Sequence, residues 1–351
     1  MARRPAVLTY LIAPNEDVAS VFRRDGRNRR ETCWPVVSGN GTISNVMLHE
    51  NEVPINEAVV RSLLEAQCPE WADLSLSLVG AGTDNIMYRL GDDLLVRLPR
   101  TADKAQSLRK EQKWLPRLAP LVTCAIPEPV HAGTASTGFA LSWSVYRWIG
   151  GDEAGPETVR DWDGFGAELA AFVRELHHID LMGATRTGDL SWYRGGSLRA
   201  CDEWISRCWE DCRTTLGAEA DAELDVDYLE RLWRAALTQP DPSGPQVWLH
   251  GDLKPTNLLV KEGRLHAVID FGCLSVGFPD AEHSTVWDLP ARARQAYWNA
   301  MNLDDATWIR ARAWAIAVGV SGISYYWHTY PAFVAECRAR LREILTDAVG
   351  P

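Results

Sequence analysis

Residues 247–260 read VWLHGDLKPTNLLV, and residues 268–272 read VIDFG. In the first stretch a polar run, His250-Gly251-Asp252-Leu253-Lys254-Pro255-Thr256-Asn257, is flanked by apolar residues on both sides, the pattern of a short loop held between buried strands. Together the two stretches set carboxylates at Asp252 and Asp270, an amide at Asn257 and an ammonium at Lys254 on what read as loops. Loops on a rigid scaffold are where chemistry-bearing side chains concentrate.

Around this centre the composition sets bounds. The chain has 351 residues, 46% hydrophobic and 24% charged, the profile of a globular protein with one large core or two modest ones. Apolar runs such as AWAIAVGV from Ala313 fall far short of the roughly 20 residues a membrane helix needs, so no membrane partner is expected. A formal net charge of −11 argues against nucleic acid and leaves room for a cationic partner. The eight cysteines have no framework spacing, which points to reduced thiols and a cytoplasmic protein. Cys201, Cys208 and Cys212 fall near one face of an expected helix, where thiols serve as core fillers. No obligate protein partner is evident.

Residues 1–46 differ from the rest. The opening MARRPAVLTYLIAPNEDV has a signal-like start, but its apolar run of about eight residues meets Pro14-Asn15-Glu16-Asp17 instead of a small-residue cleavage site. From Val21 to Asn45 no period is sustained, so residues 1–46 read as an irregular or disordered extension, with Met47 as the expected functional start.

Periodic sequence follows. INEAVVRSLLEAQ has helical spacing, and three strands are expected at Leu74 to Val79, Ile86 to Leu90 and Leu94 to Leu98. Between the first two lies Gly80-Ala81-Gly82-Thr83-Asp84-Asn85, a glycine turn whose backbone N–H groups can approach phosphate oxygens; Gly80, Gly82, Thr83 and Asn85 are its candidate nucleotide-binding residues. The third strand carries Arg97, and a helix expected at Ser107 to Leu118 carries Glu111. A strand cation paired with a helix glutamate is how kinases orient nucleotide phosphates. PEPVHAGTASTGFALSWSVYRWIGG supplies two more strands and a glycine exit at Gly150-Gly151. The fold class is therefore α+β and bilobal, with a small β-rich nucleotide-binding lobe at 47–150 and a larger, mainly helical lobe at 151–351 that carries the catalytic loop, the metal site and the substrate-binding surface.

Phosphoryl transfer to a hydroxyl needs a carboxylate to orient and deprotonate the nucleophile and oxygen ligands to hold Mg²⁺ on the triphosphate. In HGDLKPTN, Asp252 is placed as the base and Asn257, five residues on, as a metal ligand; Asp270 of VIDFG fills the second metal position, and Lys254 can meet the transferring phosphate.

With these motifs in this order, the chain resembles the aminoglycoside phosphotransferase family, kinase-like enzymes that phosphorylate small molecules. The resemblance runs from about Ile55 to the C-terminus and is most specific in GTDNIMYRLGDDLLVRLPR, WSVYRWIGG, HGDLKPTNLLV and VIDFG. It implies an ATP site between the lobes, GTP not excluded, with adenine against Val145-Tyr146-Arg147-Trp148 and backbone groups of Tyr146 and Trp148 as its hydrogen-bond partners. Two positions depart from the pattern. Arg97 stands where kinases generally have lysine, and after DFG the usual GDPxxDLA-like run is replaced by Gly277-Phe278-Pro279-Asp280-Ala281-Glu282, leaving open which acid takes the structural role.

The expected function is transfer of the γ-phosphate of ATP, with Mg²⁺, to a hydroxyl of a small molecule. An aminoglycoside-type antibiotic leads, because carboxylates suit its ammonium groups, and antibiotic resistance would follow. A macrolide or small-metabolite kinase is the alternative, given Trp192, Trp204, Trp209, Tyr325, Tyr326 and Trp327, and a non-catalytic nucleotide-binding protein is the further one. A protein kinase is disfavoured, since no activation segment with an APE-like end follows DFG. Removal of residues 1–46 is expected to leave phosphotransfer activity intact; a large loss in the truncated protein would place chemistry in that segment.

Overall fold

The computed structural model describes residues 51–81, 84–218 and 224–347; the segment 1–46 and Met47 lie outside them. The described residues divide into two compact units, one comprising those up to Gln112 with Pro129–Trp148, the other Lys113–Glu128 with those from Ile149 onward.

The first unit is built on a five-stranded antiparallel sheet of β1 (Leu76–Ala81), β2 (Asn85–Leu90), β3 (Leu94–Pro99), β4 (Pro129–Gly133) and β5 (Trp143–Arg147), in the order β1-β2-β3-β5-β4. Side chains alternate across a strand, so Ile86, Tyr88 and Leu90 of β2 and Leu94, Val96 and Leu98 of β3 share one buried face. Helix α1 (Glu57–Gln67) covers that face with Val60, Leu63 and Leu64, and Asn56 caps it by accepting from the Val59 N–H at 3.0 Å. Alternation also places Arg97 on the sheet's other face. The first strand begins two residues later than expected, because Leu74 is drawn into a turn by its N–H bond to the Trp71 carbonyl at 3.2 Å. Helix α2 (Ala102–Leu118) starts five residues before the expected Ser107: Thr101, bonded to Asp103 at 2.6 Å, opens a turn that the charged run DKAQ conceals from a periodicity reading.

The second unit holds α3 (Trp162–His178), α4 (Asp202–Ala218), α5 (Val226–Leu237), α6 (Ala291–Met301), α7 (Asp305–Tyr326) and α8 (Pro331–Thr346), with two small sheets, β6 (Asp152–Glu153) and β9 (Arg264–Val268) flanking β8 (Leu258–Lys261), and β7 (Val247–Leu249) beside β10 (Ser275–Gly277). Residues 113–128, expected in the first lobe, pack here: the Trp114 ring lies 4.7 Å from that of Trp248, and Val268 donates to the Ala125 carbonyl at 2.9 Å. The apolar run of α7 is buried on nearly all sides, which makes it the core helix of the unit. Among the described residues no helix is long and apolar enough to cross a membrane. Cys201, Cys208 and Cys212 are buried core thiols, and burial pushes Cys201 and Cys208 up to about 12. The half-buried His177 ring lies 5.8 Å from that of His283, and the exposed His178 is bonded through Nδ1 to the Arg174 carbonyl at 2.6 Å at the end of its own helix.

Helices α3 and α6 meet at Gly166, where an added Cβ would lie 2.2 Å from the Ala293 carbonyl oxygen. Alanine has the better helix propensity by about 1 kcal/mol, but the clash is with backbone that cannot rotate away. Gly166→Ala is therefore expected to destabilise the protein by about 1–3 kcal/mol, read as a lower denaturation midpoint; an unchanged or raised midpoint would show that the helices separate freely.

Candidate active site

In the first unit the strand cation and the helix acid meet. Arg97 Nη1 lies 3.0 and 2.9 Å from the two oxygens of Glu111, and both residues are buried. The Tyr146 hydroxyl donates to Glu111 Oε2 at 2.6 Å. Register explains the triad: Arg97 of β3 pairs with Ser144 of β5, so Tyr146, two residues on, projects to the same face. Burial first, and the Glu111 charge next, keep the phenol well above its ordinary pKa, so it remains a donor. Sequence reasoning assigned Tyr146 to its backbone; its side chain is the part that engages this cluster.

The glycine turn is described only in part. Gly80 lies at an irregularity of β1, where an added Cβ would stand 3.0 Å from the Met87 side chain, and Asn85 is buried at the start of β2. Gly82 and Thr83 lie outside the described residues. The Trp148 N–H donates to the Asp93 carbonyl at 2.8 Å, and its ring lies 3.9 Å from the Arg89 guanidinium carbon. That amide is engaged within the first unit, at the turn before β3.

In the second unit, β7 delivers the chain into the loop at His250 and β8 takes it up after Asn257. His250 is fully buried and uses both ring nitrogens: Nδ1 accepts from the Asp252 N–H at 3.1 Å, and Nε2 lies 3.0 Å from the Ile269 carbonyl. An imidazole that accepts at Nδ1 must carry its proton on Nε2, and burial lowers its pKa, so it is neutral. Its ring packs edge-on against Phe271 at 4.4 Å. Gly251 has φ +83, and a Cβ there would stand 2.7 Å from the Cys273 carbonyl oxygen. Asn257 Nδ2 donates to the Asp252 carbonyl at 2.8 Å and meets Asp252 Oδ2 at 3.3 Å, while the Asn257 carbonyl accepts from the Ile269 N–H at 2.9 Å. These bonds bring Asp252, Asn257 and the Ile269-Asp270 segment together. Asp270 itself is left-handed, φ 62 and ψ 67, a conformation that short polar side chains tolerate. Lys254 is half-buried; desolvation depresses its pKa, but the charges of Asp252, Glu336 and Asp270 outweigh it and leave the ammonium above its ordinary range.

The acid run after DFG resolves into two tasks. Asp280 forms a two-point pair with Arg310 at 2.9 and 3.1 Å, whereas Glu282 accepts from the Gly251 N–H at 3.2 Å and so holds the loop directly. Burial pushes Glu282 up to about 7 despite that bond. One neighbour escaped the sequence reading: Arg194 Nη1 reaches the Gly251 carbonyl at 2.7 Å and Asp252 Oδ1 at 3.2 Å.

With this geometry in hand, comparison with known proteins gives the class. Residues 75–314 match the Phosphotransferase enzyme family, APH, and the chain belongs to it. It is a phosphotransferase with an alcohol group as acceptor. Among solved structures, the GDP complex of aminoglycoside 2'-phosphotransferase-IIIa superposes with a TM-score of 0.64 at 22% identity, covering 83% of this chain and 98% of that one. The streptomycin–ATP ternary complex of APH(2")-IIa gives 0.54 at 16% identity, covering 83% and 99%. Macrolide 2'-phosphotransferase MphH from Brachybacterium faecium gives 0.53 at 22% identity, covering 81% and 97%. The α+β kinase-like fold is common to all three. No curated protein sequence matches the chain.

Removing one hydroxyl tests the first cluster. Tyr146→Phe should leave Glu111 a partner short in a dry site, costing about 1.5–3 kcal/mol of stability by the usual value of a bond to a charged group, and should raise the Kd for nucleotide. A variant as stable and as tight-binding as the wild type would remove Tyr146 from the nucleotide machinery.

Proposed function

We propose that this protein transfers the γ-phosphate of ATP to a hydroxyl of a small molecule, an aminoglycoside-type antibiotic being the leading acceptor. The observation that carries the reading is the hydrogen-bonded cluster of Asp252, Asn257 and the Ile269-Asp270 segment with Lys254 beside it. In this scheme the first unit serves the nucleotide, with Arg97, held by Glu111, on the phosphates; the second unit carries base, metal ligands and acceptor. ATP or GTP is supported as donor by related folds seen with GDP, ADP or ATP.

The acceptor oxygen forms a bond to the γ-phosphorus as the bond to the bridging oxygen breaks, and that electron pair leaves on the nucleoside diphosphate. The hydroxyl proton passes to Asp252, which first orients the nucleophile. Lys254 lies two residues from the base and offers positive charge to the phosphoryl group in flight. Among the described residues no group of three or more His, Cys, Asp or Glu side chains forms a metal cage. An amide and a carboxylate as the protein's share fit Mg²⁺, which takes one or two protein oxygens and completes its shell with phosphates and water. Asn257 and Asp270 would hold it, and when bound it neutralises charge on the triphosphate.

The net charge of −11 supports a cationic acceptor. A second reading rests on the turn between α7 and α8, where Tyr326 and Tyr330 pack around Phe333 at 5.1 and 6.3 Å and Phe333 lies 5.9 Å from Lys254 Nζ. An aromatic surface so near the loop favours a bulky acceptor with an apolar face, such as a macrolide. Susceptibility of a sensitive host expressing the protein, measured across both antibiotic classes, separates the two.

Asp252→Asn should lower kcat by about two to four orders of magnitude with nucleotide affinity nearly unchanged. Asp270→Ala should abolish turnover and remove the gain in nucleotide affinity that Mg²⁺ gives the wild type, with Asn257→Ala milder. Equal nucleotide affinity of wild type and Asp270→Ala, with and without Mg²⁺, would leave VIDFG a strand and a turn.

A further inference from the structure

We infer that Arg194 is a positioning residue for Asp252, an inference that rests on the proposed role of Asp252 as base. Arg194 precedes α4 and stands 58 residues before Asp252 in the chain, yet its guanidinium binds the loop at two points, the Gly251 carbonyl at 2.7 Å and Asp252 Oδ1 at 3.2 Å. The opposite carboxylate oxygen, Oδ2, faces Asn257 Nδ2 at 3.3 Å. A carboxylate held by a cation on one edge and an amide on the other cannot turn about its last torsion. Arg194 thereby selects the edge that Asp252 presents: Oδ1 is taken by the guanidinium, and Oδ2 is the oxygen that receives the acceptor hydroxyl.

The arginine can do this because its own base is fixed. Gly195, the next residue, crosses β10 so closely that a Cβ on Gly277 would stand 2.4 Å from the Gly195 Cα, and the Phe278 N–H donates to the Gly195 carbonyl at 3.0 Å. Before it, the Tyr193 ring packs with Trp192, Trp204 and Trp314 at 4.9, 5.6 and 5.9 Å, and the Tyr193 hydroxyl accepts from Arg194 Nε at 3.0 Å. The side chain is 15% exposed against 32% for Asp252, so the clamp lies on the inner side of the carboxylate. Nη1 alone makes both loop contacts, while Nε is held by the Tyr193 hydroxyl, so the rigid guanidinium plane fixes where Nη1 stands, which a flexible ammonium stem would not do.

The test is a double-mutant cycle with Mg²⁺–ATP hydrolysis as the probe, water standing in for the alcohol. Arg194→Met should lower kcat by about 100-fold, the scale of a misplaced catalytic group, with KM for Mg²⁺–ATP within about threefold of wild type. Arg194→Lys should fall between the two. In an Asp252→Asn background Arg194→Met should cost less than about threefold further, because the group it positions is already gone. Full multiplication of the two losses, a loss carried by KM, or wild-type kcat in Arg194→Met would overturn the inference. Should Arg194→Met not fold, Arg194→Lys enters the same cycle with the same criterion. If Asp252→Asn alone keeps wild-type turnover, it is the base assignment that falls, and the inference with it.

Discussion

The site hangs on one neutral imidazole. His250 is buried where a charge would be costly, and it satisfies both nitrogens with backbone groups, one on its own loop and one at Ile269 before DFG. Two segments that the sequence separates by nineteen positions are thus joined through a single ring. Phe271 packs edge-on against that ring, so the VIDFG segment and the His250–Asn257 loop are tied together. Glu282 adds a third tie at the Gly251 amide, and its position explains why the acids after DFG can be rearranged while the loop keeps its shape.

The first unit solves a related problem differently. There a charge is kept buried, and Glu111 is tolerated because Arg97 and Tyr146 supply donors to its carboxylate. Removing either partner would strand a charge in a dry site, the costliest kind of defect. Arginine at 97 is at home in such a place, since it holds its charge under burial where a lysine is more readily neutralised.

Most of this was legible in the chain itself. The strands around Ile86 and Leu94 alternate cleanly, and HGDLKPTN and VIDFG set their polar residues within a few positions, so local pattern sufficed to place strands and loops. What stayed hidden acts across distance or through register. Nothing near WYRGG says that Arg194 will meet a loop 58 residues on, except a glycine, Gly195, whose meaning is the close crossing with Gly277. The Tyr146 side chain needed the pairing of Arg97 with Ser144 before its face could be known. The segment 113–128 packs in the second unit through contacts such as Trp114 with Trp248 and Ala125 with Val268, which no local sequence signal shows.

The crowding at Gly251 has one further consequence. Protein kinases carry an arginine at the matching point of the H-R-D loop, and arginines are the means by which a phosphorylated activation segment is ordered. Here a positive φ and a wall of Cys273 backbone leave no room for any side chain. A loop of this build presents no side chain at that position for a covalent phosphate to engage.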